Sequence, residues 1–176
     1  MSELRKANSN AAYFVTLTVV GWLDIFTRRR YCDILIDSLR YCSINKSLEV
    51  FSYVIMPSHA HLIVRNANGE LYKTLRDFKR FTAQSIIKSI QTDPGESRRA
   101  WLIHMLQFHA KYQKQNERFS FWQKTSYPIE LSYDSVYIQK CDYIHNNPVE
   151  AGYVTQADYW HYSSASPDSP FEVLQP

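Results

Sequence analysis

The chain has 176 residues, 45% hydrophobic, 15% aromatic and 21% charged, enough apolar matter to bury one sizeable core. Four Gly and seven Pro exclude a collagen-like or low-complexity chain, and 13 Tyr, nine Phe and four Trp exclude a disordered one. The formal net charge of +3 is mildly basic, compatible with a polyanionic partner but not a demand for one.

In chain order, the N-terminal MSELRKANSNAAYF carries basic residues, yet Asn8, Ser9 and Asn10 stand where a secretion signal needs an apolar run. The apolar stretch from Tyr13 to Leu23 is about half the ~20 residues of a membrane helix. Cys32, Cys42 and Cys141 are widely spaced and form no C-x-x-C pattern, which argues against both a disulfide framework and a thiolate zinc site. A cytoplasmic protein with no membrane partner is expected. Tyr13 to Val20 is β-branched and aromatic and reads as a strand, followed by the basic run Arg28, Arg29, Arg30. Ile34, Leu35, Leu39 and Cys42 then recur at helical spacing. Glu49 to Met56 and Ala60 to Arg65 are short apolar runs around Pro57-Ser58, an antiparallel hairpin pattern. From Glu70 to Ile90 the spacing predicts a helix with Leu71, Leu75, Phe78, Thr82 and Ile86 on one face and Lys73, Arg76 and Arg80 opposite. A further helix over 98–113 would be built on Trp101, Leu102, Met105 and Phe108, and Phe119 to Leu131 reads as extended. A last helix, capped by Asp134, should stop at Asn147 because Pro148 cannot continue the hydrogen-bond ladder. The βαββα skeleton with added helices predicts a two-layer α+β sandwich on an antiparallel sheet. Residues 1–165 are expected to form one domain and 166–176 a flexible tail.

Two segments carry candidate chemistry. In MPSHAHLIV, His59 and His61 are two apart, so on a strand both imidazoles project from one face while Ala60, Leu62 and Val64 face the core. Solvated turn histidines are the plainer alternative. In CDYIHNNPV, Tyr143 and Asn147 are four apart and share a helix face, with Gln139 one turn earlier as a competing oxygen donor. Two imidazoles and an amide oxygen leave positions open for water and phosphate, which suits Mg²⁺ or Mn²⁺ better than a closed zinc site. On spacing alone Tyr143 is equally readable as a packing tyrosine, and Tyr127, Tyr133 and Tyr137 gain no support. His145 lies about 200° round the helix from Tyr143, a packing or capping position, and His104, His109 and His161 have no partner spacing. The cations Lys73, Arg76 and Arg80, with Arg28, Arg29, Arg30 and the pair Arg98 and Arg99, could bind phosphates or simply face water.

At these residues the chain resembles the HUH single-tyrosine transposases of the smallest insertion sequences, and especially their REP-associated relatives. MPSHAHLIV resembles the family's His-hydrophobic-His motif with its Met-Pro turn, and YIHNNPVEAGYV its nucleophile segment. FKRFTAQSI, FWQ and DYWHYSSA resemble weaker family segments in the same order, so the likeness spans about Tyr13 to Ala165. Glu150 stands where the REP-associated relatives usually carry a basic residue. The resemblance implies an α+β, ferredoxin-like two-layer sandwich, an antiparallel sheet with helices on one face plus extra helices, in which His59 and His61 hold a divalent metal, Asn147 is its helix-borne third ligand, and Tyr143 is the nucleophile. The implied activity is cleavage and rejoining of single-stranded, hairpin-forming DNA through a 5′-phosphotyrosine, by a monomer or homodimer working at the bacterial nucleoid. Its rivals are a domesticated, non-cleaving hairpin binder and a metal-dependent hydrolase in which water replaces the tyrosine.

Overall fold

The computed structural model describes residues 11–112 and 118–175. The N-terminal stretch read for a secretion signal lies outside the described residues, as does Gln113. The sheet has four antiparallel strands in the order β2-β3-β1-β4, formed by β1 (Tyr13–Thr18), β2 (Leu48–Met56), β3 (His59–Asn66) and the short β4 (Ile129–Glu130). β2 and β3 form the hairpin expected around Pro57-Ser58, with Met56 opposite His59 and an irregularity between Val50 and Ser52. β1 lies beside β3, Thr16 opposite His61 and Thr18 opposite His59.

Alternation along the strands divides the core. Tyr13, Val15 and Leu17 of β1, Val50, Tyr53 and Ile55 of β2, and Ala60, Leu62 and Val64 of β3 join the larger apolar cluster. Over it lie α1 (Arg29–Asn45), which buries Cys32, Leu35, Ile36 and Leu39, and α2 (Leu71–Thr92). The buried stripe of α2 contains all five residues its spacing singled out, extended to Ile90. The other side of the sheet presents Phe14, Val54, Met56 and Ile63 to Ile144 of α4 (Asp134–Glu150), a smaller cluster under one helix. Burying an isoleucine side chain stabilises by ~1.5–3 kcal/mol, so Ile144 fixes α4 to the face on which the histidines stand.

Three expectations about the helices differ from the fold. α4 does not stop at Asn147. Pro148 sits inside it, and the helix runs to Glu150, where the amides of Ala151 and Gly152 bond the carbonyls of Asn147 and Val149. A proline so near a helix end removes one ladder bond, from the Ile144 carbonyl, and the buried ring packs against the fold instead. Asp134 is the first helical residue and Tyr133 the cap, so the carboxylate acts through the helix dipole. In α3 (Arg99–Lys111) the buried stripe is Leu102, Leu106 and Ala110, whereas Trp101 and Phe108 remain exposed. Two apolar stripes lie about 100° apart on that helix, and the one at strict four-residue spacing fits the seam beside α2.

Residues 166–175, expected as a flexible tail, lie along β2: Phe171 is buried, the Leu174 amide bonds the Val50 carbonyl, and the Tyr53 and Ser169 hydroxyls are 2.7 Å apart. No helix among the described residues is long and apolar enough to cross a membrane.

Candidate active site

β3 carries His59 and His61 on the face that looks at α4, with ring centroids 4.8 Å apart. The strand advances ~6.6 Å over two residues and a helix ~6 Å over four, so two histidines on β3 match Asn147 and Tyr143 on α4 in spacing. The contacts follow that match. The Asn147 side chain lies beside His59, close enough to oppose the lowering of its pKa. The Tyr143 ring stands edge-on to His61 at 5.2 Å and to Phe14 at 5.8 Å. One turn earlier, the Lys140 ammonium lies over the Phe14 and Tyr143 rings, 4.9 and 5.5 Å from their centroids. Gln139 is exposed and lies eight residues, or ~12 Å along the helix, from Asn147, away from the imidazole beside which Asn147 lies.

The two imidazoles differ. His61 is 5% exposed, stacked on Phe14 at 5.3 Å, and its Nδ1 is 2.9 Å from the Thr16 hydroxyl. Its Nε2 is buried with no hydrogen-bond partner among the described residues. An orphaned polar atom of that kind is uncommon in a folded protein and calls for an occupant. In the tautomer whose Nδ1–H donates to the Thr16 hydroxyl, Nε2 presents a lone pair, the form a metal requires. Burial, then the neighbouring His59 and Lys140 charges, push the His61 pKa down to about 3. Burial also lowers His59, against the raising effect of the Asn147 side chain, and Ser58 Oγ lies 3.2 Å from His59 Nδ1. Both rings are therefore neutral at pH 7, as ligation demands. Among the described residues no three His, Cys, Asp or Glu side chains cluster as a metal site. The donors here are two imidazoles and an amide, a set that fits an octahedral cation keeping water or phosphate in its remaining positions.

Tyr143 is 47% exposed, its ring packed on one side and reachable from solvent on the other. His145, on the far side of α4, has Nε2 3.0 Å from Ser164 Oγ and 3.3 Å from Ser52 Oγ, a packing role that ties α4 to β2. Lys140, Thr16 and Phe14 were missed by the sequence reading. Lys140 was available from its spacing of three to Tyr143, whereas Thr16 becomes visible only through the β1–β3 register.

The basic residues are placed otherwise. Arg28 pairs at 3.2 Å with the buried carboxylate of Glu96, which also receives the Tyr31 hydroxyl at 3.0 Å, and Arg30 pairs with Asp93. Lys73 pairs with Glu70 and Arg76 with Asp77 on α2 itself. Arg29 and Arg80 are exposed and make no ion pair among the described residues. α2 packs on the sheet face opposite His61, so Lys73, Arg76 and Arg80 lie across the sheet from Tyr143.

No family model and no curated protein matches the chain. Among solved structures it is similar to a REP-associated tyrosine transposase bound to a REP hairpin, with 19% identity and a TM-score of 0.61 over 88% of this chain and 76% of that one. It is also similar to a protein provisionally classed as a transposase from Deinococcus radiodurans R1, with 16% identity and a TM-score of 0.50 over 81% of this chain and 94% of the other. The chain shares the fold of these transposases. That likeness agrees with the α+β architecture and with the resemblance carried by the two motifs.

Proposed function

We propose that this protein is a transposase-like enzyme that cleaves and rejoins single-stranded DNA at hairpin-forming or palindromic elements, with Tyr143 as nucleophile. The observation that carries this reading is the convergence of four side chains from two elements: the His59–His61 pair, Tyr143 against His61, and Asn147 on His59. The Tyr143 oxygen attacks phosphorus and loses its proton, the bond to the 3′ oxygen breaks, and that oxygen takes up a proton as it leaves. The product is a 5′-phosphotyrosine, and a different 3′-hydroxyl can later reverse the step on a new strand without a nucleotide cofactor. His59, His61 and Asn147 would hold Mg²⁺ or Mn²⁺, which supplies charge neutralisation and polarisation of the attacked phosphate. Lys140, beside the nucleophile's ring, offers a second positive charge to the same phosphate.

The test is a labelled oligonucleotide hairpin incubated with the protein and a divalent cation, then run on a denaturing gel. A covalent adduct that retains a 3′ label, with the 5′-labelled fragment released free, is expected. Binding without adduct would favour the non-cleaving binder, and cleavage without adduct would favour attack by water.

Asn147 separates ligation from packing. Asn147→Ala should raise the cation concentration needed for half-maximal cleavage about tenfold or more. Trimming this half-buried side chain, at a cost of ~1 kcal/mol, should lower Tm by only about 2–4 °C. A larger loss of Tm with unchanged metal demand would make Asn147 structural. For the basic residues, Arg80→Gln should reduce the log-log salt slope of DNA binding by about 0.7–0.9. Lys73→Gln and Arg76→Gln should matter less, because their charges are already partnered. An unchanged slope for Arg80→Gln would leave α2 facing water alone.

A further inference from the structure

The turn between β1 and α1 contains a feature that neither the core nor the proposed chemistry explains. From Val19 to Ile25 the chain alternates between burial and display: Val19, Val20, Leu23 and Ile25 are buried, while Gly21 and Trp22 are exposed. Trp22 is 62% exposed, so its indole gains little from folding. It is also held at φ 54°, a left-handed conformation that is unfavourable for a bulky L side chain. Three described non-glycine residues have positive φ, and among them Trp22 stands against a candidate ligand, its indole edge-on to His59 at 5.5 Å.

The strained turn is held rigidly. The Val19 amide bonds the Ser58 carbonyl beside His59, the Val20 amide bonds Phe121, and the Trp22 amide closes back on Val19. Gly21 precedes it at φ 62°, and any side chain there would run into the His109 ring of α3. α3, the β2–β3 turn and the 119–122 segment thus all press on this loop, and its product is one large aromatic face displayed at the rim of the histidine pair.

We propose that Trp22 is a stacking platform for an unpaired DNA base next to the phosphate that Tyr143 attacks. This rests on the reading of the site as one for single-stranded DNA. A base in a single strand offers a π-face whatever its identity, and an aromatic side chain already fixed in place gains affinity from it without losing rotamer freedom. Stacking there would orient the strand across His59 and His61 toward α4.

The experiment measures affinity for an oligonucleotide hairpin with a short single-stranded 5′ extension, in which one abasic site is moved along the extension. Trp22→Ala should weaken binding about fivefold to a hundredfold, and Trp22→Phe should keep most of the affinity. In the wild type one abasic position should cost a similar factor, and the same position should cost little more in Trp22→Ala, because the two changes remove one contact. Trp22→Gly relieves the backbone strain, so it should melt no lower than the wild type yet bind as weakly as Trp22→Ala. This variant keeps the test valid if Trp22→Ala folds poorly. An equal abasic penalty with and without the indole overturns the proposal. So does a loss of cleavage at unchanged affinity, which would make Trp22 a shield for His59. Base-dependent binding with no covalent adduct would sink the cleavage reading and leave the platform standing, whereas no binding of the hairpin by the wild type overturns both.

Discussion

Tyr143→Phe is expected to abolish the covalent adduct, lowering cleavage by at least about 10⁴-fold, while DNA affinity changes less than about twofold. The substitution removes one oxygen and keeps the ring that stands on His61 and Phe14, so the surface met by DNA is almost unchanged. Stability should follow the same logic. Tyr143 is half exposed, and phenylalanine preserves the edge contacts, which places the change within the ~0.5 kcal/mol typical of surface substitutions. A separation of binding, folding and chemistry this clean is what a nucleophile gives and a packing tyrosine does not. If adduct persists, the nucleophile lies elsewhere, and the exposed tyrosines Tyr127 and Tyr133 are the first to test in its place. If affinity and Tm fall together, Tyr143 is a packing residue.

The parts of the fold legible in the sequence are those fixed by local periodicity. The Met-Pro turn and the alternation after it place His59 and His61 on one face of β3, and the apolar repeat of α2 names its buried stripe. The four-residue spacing of Tyr143 and Asn147 puts them on one side of α4. What local pattern could not supply is distance in space. Glu96 and Asp93 lie more than 60 residues after Arg28 and Arg30 in the chain, and only the folded structure shows that these cations compensate carboxylates. Thr16 on His61 likewise depends on the pairing register of two strands 45 residues apart. The end of α4 was misread for a different reason. The rule that a proline stops a helix weighs one lost hydrogen bond, and it omits the burial of the Pro148 ring and the carbonyl bonds that close the last turn. Of the α3 residues that the spacing names, Leu102 is buried while Trp101 and Phe108 are exposed, because a short helix buries the row that fits its neighbour.

The second large effect concerns the metal. Excess EDTA should stop cleavage, and Mn²⁺ or Mg²⁺ added back should restore it, because the phosphate's charge would otherwise face two neutral imidazoles. A readout without DNA makes this sharper. If His59, His61 and Asn147 bind the cation only when folded, a hundredfold excess over the dissociation constant adds ~2.7 kcal/mol of stability. For a chain of this size that raises Tm by roughly 5–10 °C. Removing both histidines should erase the shift. His61→Ala alone opens a gap beside Phe14 and leaves Thr16 without its partner, so a lower starting Tm is expected for it. His59→Ala is the milder probe, since His59 is only partly buried. The decisive comparison is therefore the cation-induced shift in each variant, not its absolute Tm. Cleavage that continues undiminished in excess chelator, or a shift that survives the loss of both imidazoles, would remove the metal from this site. The orphaned Nε2 of His61 would then need another partner, and the phosphate itself, accepting from Nε2–H of the neutral ring while the Thr16 hydroxyl donates to Nδ1, would be the one left to test.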